Sequence, residues 1–202
     1  MANIALSLIG DKQRINNLDD DTTETANICR LMFDETVDQV LSDPYVDFIC
    51  ARDRAQLSQD ANSPAFGWLY QYELPADYIR LRKHTDDETD IVNYLYLSPA
   101  DTASYPYTIE GRKLLSNKDD CYILYIKQVD DVTLFGPLLA GAICVLLASK
   151  LATRLGAGKA KADELYVLYL NDALPKARGE NQRSLYVEDE EGVQIWGESG
   201  RY

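Results

Sequence analysis

A run of eighteen residues without a charge, Val132 to Ser149, constrains this chain more than any other feature. Its length sits at the lower edge of what a membrane-crossing helix needs. Gly136-Pro137 interrupts its start, and Ala140, Gly141, Ala142 and Ala148 dilute its hydrophobicity. Lys150 and Arg154 follow on the same helix. The segment therefore reads as a core helix, and a helix apolar on nearly every side must be wrapped by other elements.

Candidate partners lie at both ends of the chain. Ile4 to Ile9 reads as a short helix closed by Gly10, the usual residue just past a helix C-terminus. Asp19-Asp20-Asp21 precedes a longer pattern. Asp21 with Glu24 three residues on has the form of a capping box, and the acidic run suits the positive end of the helix dipole. Capping accounts for these acids more economically than a metal site. Ala26, Cys29, Phe33, Val37 and Val40 recur at helical steps, with Arg30, Asp34, Glu35, Asp38 and Gln39 on the other side. Pro44 stops this helix. After the core segment, Gly156-Ala157-Gly158 ends one helix, and Lys159 to Ala177 reads as the next. Ala162, Leu165, Tyr166, Tyr169, Leu170 and Ala173 fall on its apolar face.

Between the helical ends the texture is that of strands. Phe66–Tyr72 and Tyr78–Arg82 are separated by Leu74-Pro75-Ala76-Asp77. Ile91–Leu97, Tyr105–Leu115 and Cys121–Val129 follow, the last after a hairpin signal at Asn117-Lys118-Asp119-Asp120. Tyrosine is concentrated here, as suits half-buried sheet positions. The order helix, sheet, helix predicts an α+β fold. An antiparallel helical bundle is built from the N- and C-terminal segments, with a central antiparallel β-domain inserted. The expected divisions are 1–64 and 131–178 for the bundle, 65–130 for the β-rich insertion and 179–202 for a tail.

Charge and composition narrow the function. A net charge of −13 and a pI near 4.4 oppose attraction to DNA phosphates or to an anionic membrane. Arg80, Arg82 and Lys83 form a small basic cluster among tyrosines, but without a wider basic field they read as a solvated strand edge. Cys29, Cys50, Cys121 and Cys144 are scattered without metal-ligand spacing and read as reduced, mostly buried thiols. The N-terminus, Met1-Ala2-Asn3-Ile4, has no signal-peptide pattern.

Catalytic signals are equally sparse. His84 is the only histidine, and Lys83, Thr85, Asp86 and Asp87 beside it suggest an exposed loop. Gly156-Ala157-Gly158-Lys159 lacks the spacing of a phosphate-binding loop and follows a helix rather than a strand. The Gly-x-Ser-x-Gly elbow of serine hydrolases is absent. The expectation is a protein that is not an enzyme and needs no cofactor or metal; a small hydrolase using unrecognised carboxylates is the remaining catalytic alternative.

A specific order of signals carries a resemblance. It begins with the helix ending at Ile9-Gly10, then Arg14-Ile15-Asn16-Asn17-Leu18-Asp19-Asp20-Asp21 and Thr22–Leu41 with Cys29-Arg30-Leu31 and Phe33-Asp34. It continues through Phe66-Gly67-Trp68, Tyr72-x-Leu74-Pro75-x-Asp77-Tyr78-x-Arg80-Leu81, Tyr107-x-Ile109-Glu110-Gly111-Arg112 and Leu124-Tyr125-Ile126. Asp130-Asp131-x-x-Leu134-Phe135-x-Pro137-Leu138 and the alanine-rich helix to Leu151-Ala152 complete it. In this order the chain resembles the tail tubular protein A family, the head-to-tail adaptors of T7-like podoviruses, over residues 1–178. The resemblance implies a structural virion protein assembled in the host cytoplasm. It would form a dodecameric ring beneath the portal protein, receive the tail nozzle protein and in some cases help seat tail fibres. Genomic DNA would pass through the channel without specific binding, and no membrane is involved.

The tail lies outside that resemblance. It is acidic at Glu188-Asp189-Glu190-Glu191, yet it carries Tyr186, Val187, Val193, Ile195 and Trp196. Those five residues are the candidate partner-binding set, on an arm that orders when it meets a neighbour or the portal. The alternative function is an acidic protein-interaction module outside phages, with no ring assembly.

Overall fold

The computed structural model describes residues 1–62, 64, 66–93 and 105–184. The fold is mixed α+β with antiparallel sheets. Its helices are α1 (Ala2–Leu8), α2 (Glu24–Leu41), α3 (Glu88–Asn93), α4 (Pro137–Arg154), α5 (Lys159–Leu168) and α6 (Leu174–Ser184). A π-helical segment, Tyr169–Ala173, joins α5 to α6. The strands are β1 (Arg52–Gln56), β2 (Tyr70–Glu73), β3 (Tyr78–Thr85), β4 (Tyr107–Glu110), β5 (Lys113–Ser116) and β6 (Tyr122–Lys127).

The uncharged run becomes α4. Pro137 sits in its first turn, where its missing N–H costs nothing. By length and composition α4 could cross a membrane, but more than half of it is buried, against α1, α2, α5 and α6. Helices from both ends of the chain thus share one centre. Ala5 and Leu6 of α1, Ala26 and Cys29 of α2, Leu147 and Leu151 of α4 and Leu165 of α5 form one cluster. A second joins Val37, Val40 and Leu41 to Ile143, Leu146, Leu174 and Ala177.

The start of α2 differs from the expected cap. Thr23, not Asp21, is the N-cap: its hydroxyl accepts from the Ala26 N–H at 3.3 Å. Asp21 instead accepts from the Thr23 N–H at 2.9 Å and so sets the turn ahead of the helix. Arg30 closes the same loop, donating to the carbonyls of Leu18, Asp19 and Asp21.

Six strands form two three-stranded antiparallel sheets, ordered β1-β6-β3 and β2-β5-β4. β6 is apolar along its length because both of its faces are covered. Ile126 packs towards the helices, while Ile123 and Tyr125 meet Tyr72, Leu81 and Leu114 between the sheets. The first sheet therefore shares its core with the helical layer rather than projecting from it. β1 also begins ahead of the expected boundary at residue 65 and pairs with β6 from Arg52↔Ile126 to Gln56↔Tyr122.

Several strand expectations shift. Phe66 is 88% exposed and precedes β2, which starts at Tyr70. The stretch Tyr105–Leu115 divides into a hairpin, β4 and β5, around Gly111, whose φ of +62° suits glycine. Asn117–Asp120 is not a hairpin turn, because β5 and β6 belong to different sheets. The expected strand Ile91–Leu97 begins inside α3, and residues 94–97 lie outside the described residues.

Beyond α4 the Gly156-Ala157-Gly158 turn reverses the chain, with φ of +81° and +88° at the two glycines. The next helix does not keep one face throughout. Ala162, Leu165 and Tyr169 are buried at steps of three and four, and burial resumes at Leu174, Ala177 and Asn181. The step from Tyr169 to Leu174 is five, which the π segment supplies. Pro175 is the local cause, since a proline clashes with the carbonyl four residues earlier in a regular α-helix. Tyr166 and Leu170, expected on the buried face, are exposed.

Candidate interaction surface

The link between α2 and β1, residues 42–51, is held by charge from two directions. Asp47 is buried and pairs with Arg80 at 2.9 Å and with Arg82. Arg80 also donates to the carbonyls of Asp43 and Val46, at 2.8 and 3.0 Å. From α6, Arg178 grips the buried Asp43 carboxylate through Nε and Nη2, at 3.0 and 2.6 Å. Asn181 accepts from the Ile49 N–H at 2.9 Å and donates to the Asp47 carbonyl at 2.7 Å. The expected solvated basic edge is therefore mostly committed internally: Arg80 and Arg82 face Asp47, and Lys83 is buried with its Nζ on the Asp90 carbonyl at 3.1 Å.

This fixed link forms one wall of an open apolar groove of about 410 Å³. Phe48, Leu139, Ala177 and Asn181 line its interior, and Cys50 is a half-buried thiol in the wall. Ile49, Leu134 and Leu138 are exposed around it. Glu180 stands at the mouth, its Oε2 accepting from the Leu138 N–H at 3.2 Å at the start of α4. The carboxylate fits because residue 136 is glycine; a Cβ there would lie 2.8 Å from Glu180 Oε2.

A second apolar surface lies on α5 and the π segment. Leu165 to Leu170 is six apolar residues in succession, and a helix packed on one side cannot bury them all. Leu165 and Tyr169 turn inward, while Val167 is 54% exposed and Tyr166, Leu168 and Leu170 are exposed beside it. The unbroken run was the signal in the sequence; reading it as one buried face concealed the outward half. Leu31 on α2, 75% exposed, adds a further isolated apolar side chain.

The remaining candidates are placed elsewhere. His84 is not in an exposed loop: it is 0% exposed on β3, with the rings of Tyr105 and Tyr107 edge-on at 6.4 and 6.0 Å. Eight-residue β3 runs past the expected end at Arg82 and carries His84 under the β4–β5 layer. Lys118 covers the Tyr105 ring at 3.9 Å and pairs with Asp86 at 2.6 Å. That pairing lowers the Asp86 pKa and raises that of Lys118. All four cysteines are free. Burial pushes the Cys29 thiol up to about 11 and the Cys121 thiol up to about 12, away from the reactive thiolate. Among the described residues no group of three or more His, Cys, Asp or Glu side chains converges as a metal site would require. The tail set Tyr186, Val187, Val193, Ile195 and Trp196 lies outside the described residues.

Two apolar surfaces on a strongly acidic protein are thus the features that ask for partners. Comparison with known proteins assigns none: no protein-family model matches the chain, and no curated protein matches it.

Proposed function

We propose that the protein is a structural adaptor of a phage tail. Its copies would stand side by side in a ring that joins the portal to the tail nozzle and continues the DNA channel. The observation that carries this reading is the exposed apolar face Tyr166–Leu170, together with a separate groove further along the same helical run. At about 1.5 Å per residue, Val167 and Glu180 are roughly 20 Å apart. A ring closes through a head-to-tail contact between two different surfaces, and two such surfaces are what this protomer offers. The net charge of −13 supports the same role, because an acidic ring repels the DNA that must slide through it. The role calls for no catalysis.

The test is to mix the purified protein with its cognate portal and image the mixture by electron microscopy beside the protein alone. Rings stacked on the narrow end of the portal are the expected outcome. A correctly assembled portal that stays bare would reject the adaptor role in favour of an acidic interaction module that forms no ring.

A further inference from the structure

We infer that the groove between the start of α4 and α6 is the docking site of the chain's own segment 192–197, in the same molecule. This goes beyond the adaptor reading and does not depend on it. The first argument is where the chain leaves the fold. The groove wall is α6 itself, through Ala177, Glu180 and Asn181, and α6 ends at Ser184. Asn181 is therefore less than one helical turn, about 5 Å, from the point where the chain departs. Eighteen residues follow Ser184. Eight of them lead to Gly192, a span of up to roughly 26–29 Å at full extension, ample for a return to the groove.

The second argument is chemistry. The groove is apolar inside, with one carboxylate, Glu180, at its mouth. Glu188-Asp189-Glu190-Glu191 is unsuited to lie against it, since like charges in a confined site repel. Gly192-Val193-Gln194-Ile195-Trp196-Gly197 is uncharged throughout and holds three large apolar side chains in four positions. The acidic run then occupies the tether, in solvent, and the apolar segment occupies the groove. A Trp or Ile anchor in a pocket whose polar groups are already satisfied, as Asn181 is by Ile49 and Asp47, gains the contact without stranding a donor. The short tether gives the segment an effective concentration in the millimolar range, so the same-molecule contact prevails over exchange between copies.

Cys50 makes the proposal testable, because it is the one described cysteine that is not fully buried and it lies in the groove wall. The full-length Ile195→Cys variant is oxidised mildly and digested for mass spectrometry. The expected product is a disulfide from Cys50 to the introduced thiol within one chain, seen as a faster monomer band on a non-reducing gel and lost in a Cys50→Ser background. A bond between two chains would overturn the same-molecule assignment in favour of a neighbouring copy's segment. A second measurement does not depend on thiol chemistry. In a Trp68→Phe background, acrylamide quenching reports Trp196 alone. Protection relative to a free peptide of residues 185–202, lost in Leu134→Glu at the exposed rim, supports docking. Quenching equal to the free peptide's overturns it.

Discussion

Burial holds His84 below its ordinary pKa of 6.5, against the opposing pull of the Tyr105 backbone and of Asp86, while Lys118 reinforces the shift. A neutral imidazole is therefore part of the folded state. Above about pH 6.5 neither the folded nor the unfolded chain binds a proton there, and the contribution of His84 is intact. As pH falls below that value the unfolded chain is protonated first, and stability is lost down to the depressed folded pKa. Asp53 and Asp86 have lowered pKa values, so their share is lost only at more acidic pH, below the carboxylate range. Urea midpoints at about pH 7.5 and about pH 5 should separate the two effects. The native protein is expected to weaken over that interval more than His84→Gln does; equal slopes would show that the imidazole is not responsible.

Asp47 is the other residue on which several groups depend. Replacing it with alanine leaves the guanidiniums of Arg80 and Arg82 without their carboxylate. Breaking a fully buried pair costs about 3–5 kcal/mol. Here the arginines are 22% and 26% exposed, so about 2–3 kcal/mol is expected, read from chemical denaturation. Neither His84 nor Asp47 revealed its place in the sequence. His84 sits among polar neighbours that look like a loop, and only the extension of β3 under β4 and β5 buries it. The partners of Asp47 lie more than thirty residues away, a distance along the chain that local pattern does not span.

At the scale of elements, helices were legible and sheet partners were not. The pattern Ala26, Cys29, Val37, Val40 fixes the inner face of α2 because a helix makes its own hydrogen bonds and needs only a stripe. Its first residue was harder, since Asp21 and Thr23 both have capping chemistry and only the backbone geometry decides between them. Thr23→Ala should cost about 0.5–1 kcal/mol, as the capping contact is long, and Thr23→Ser should restore it. Thermal unfolding of the two variants checks this; equal melting points would shift the cap back to Asp21. Strands must borrow their hydrogen bonds from other strands. The apolar run of β6 was plain, but that β6 pairs with β1 and β3 while β5 goes to another sheet is a tertiary outcome. α3 was misread for a related reason: Ile91 meets helical and strand rules alike over so short a stretch.

For the whole molecule, the packing of both chain ends around α4 followed from one premise, that an uncharged helix outside a membrane needs cover on all sides. The interaction surface was less legible, because apolar residues meant for a partner look the same in sequence as those meant for the core. Val167→Asp separates them. Val167 touches no core, so folding stability should change by no more than about 0.5 kcal/mol. Ring formation on the portal, scored in micrographs, should be lost. Unfolding of this variant would instead mark Val167 as a packing residue, and undisturbed rings would move the lateral contact elsewhere.

The five-residue step between Tyr169 and Leu174 has a consequence for any change in length there. Removing Asn171 would let the helix run as a regular spiral, and everything after it would swing by about 100°. Arg178 would turn away from Asp43, Asn181 from Ile49 and Glu180 from the start of α4. Such a variant should gain local helix regularity yet unfold at lower denaturant, with Cys50 more open to thiol reagents. One residue of chain acts there as a setting of phase: it is surplus to the helix and indispensable to everything the helix points at.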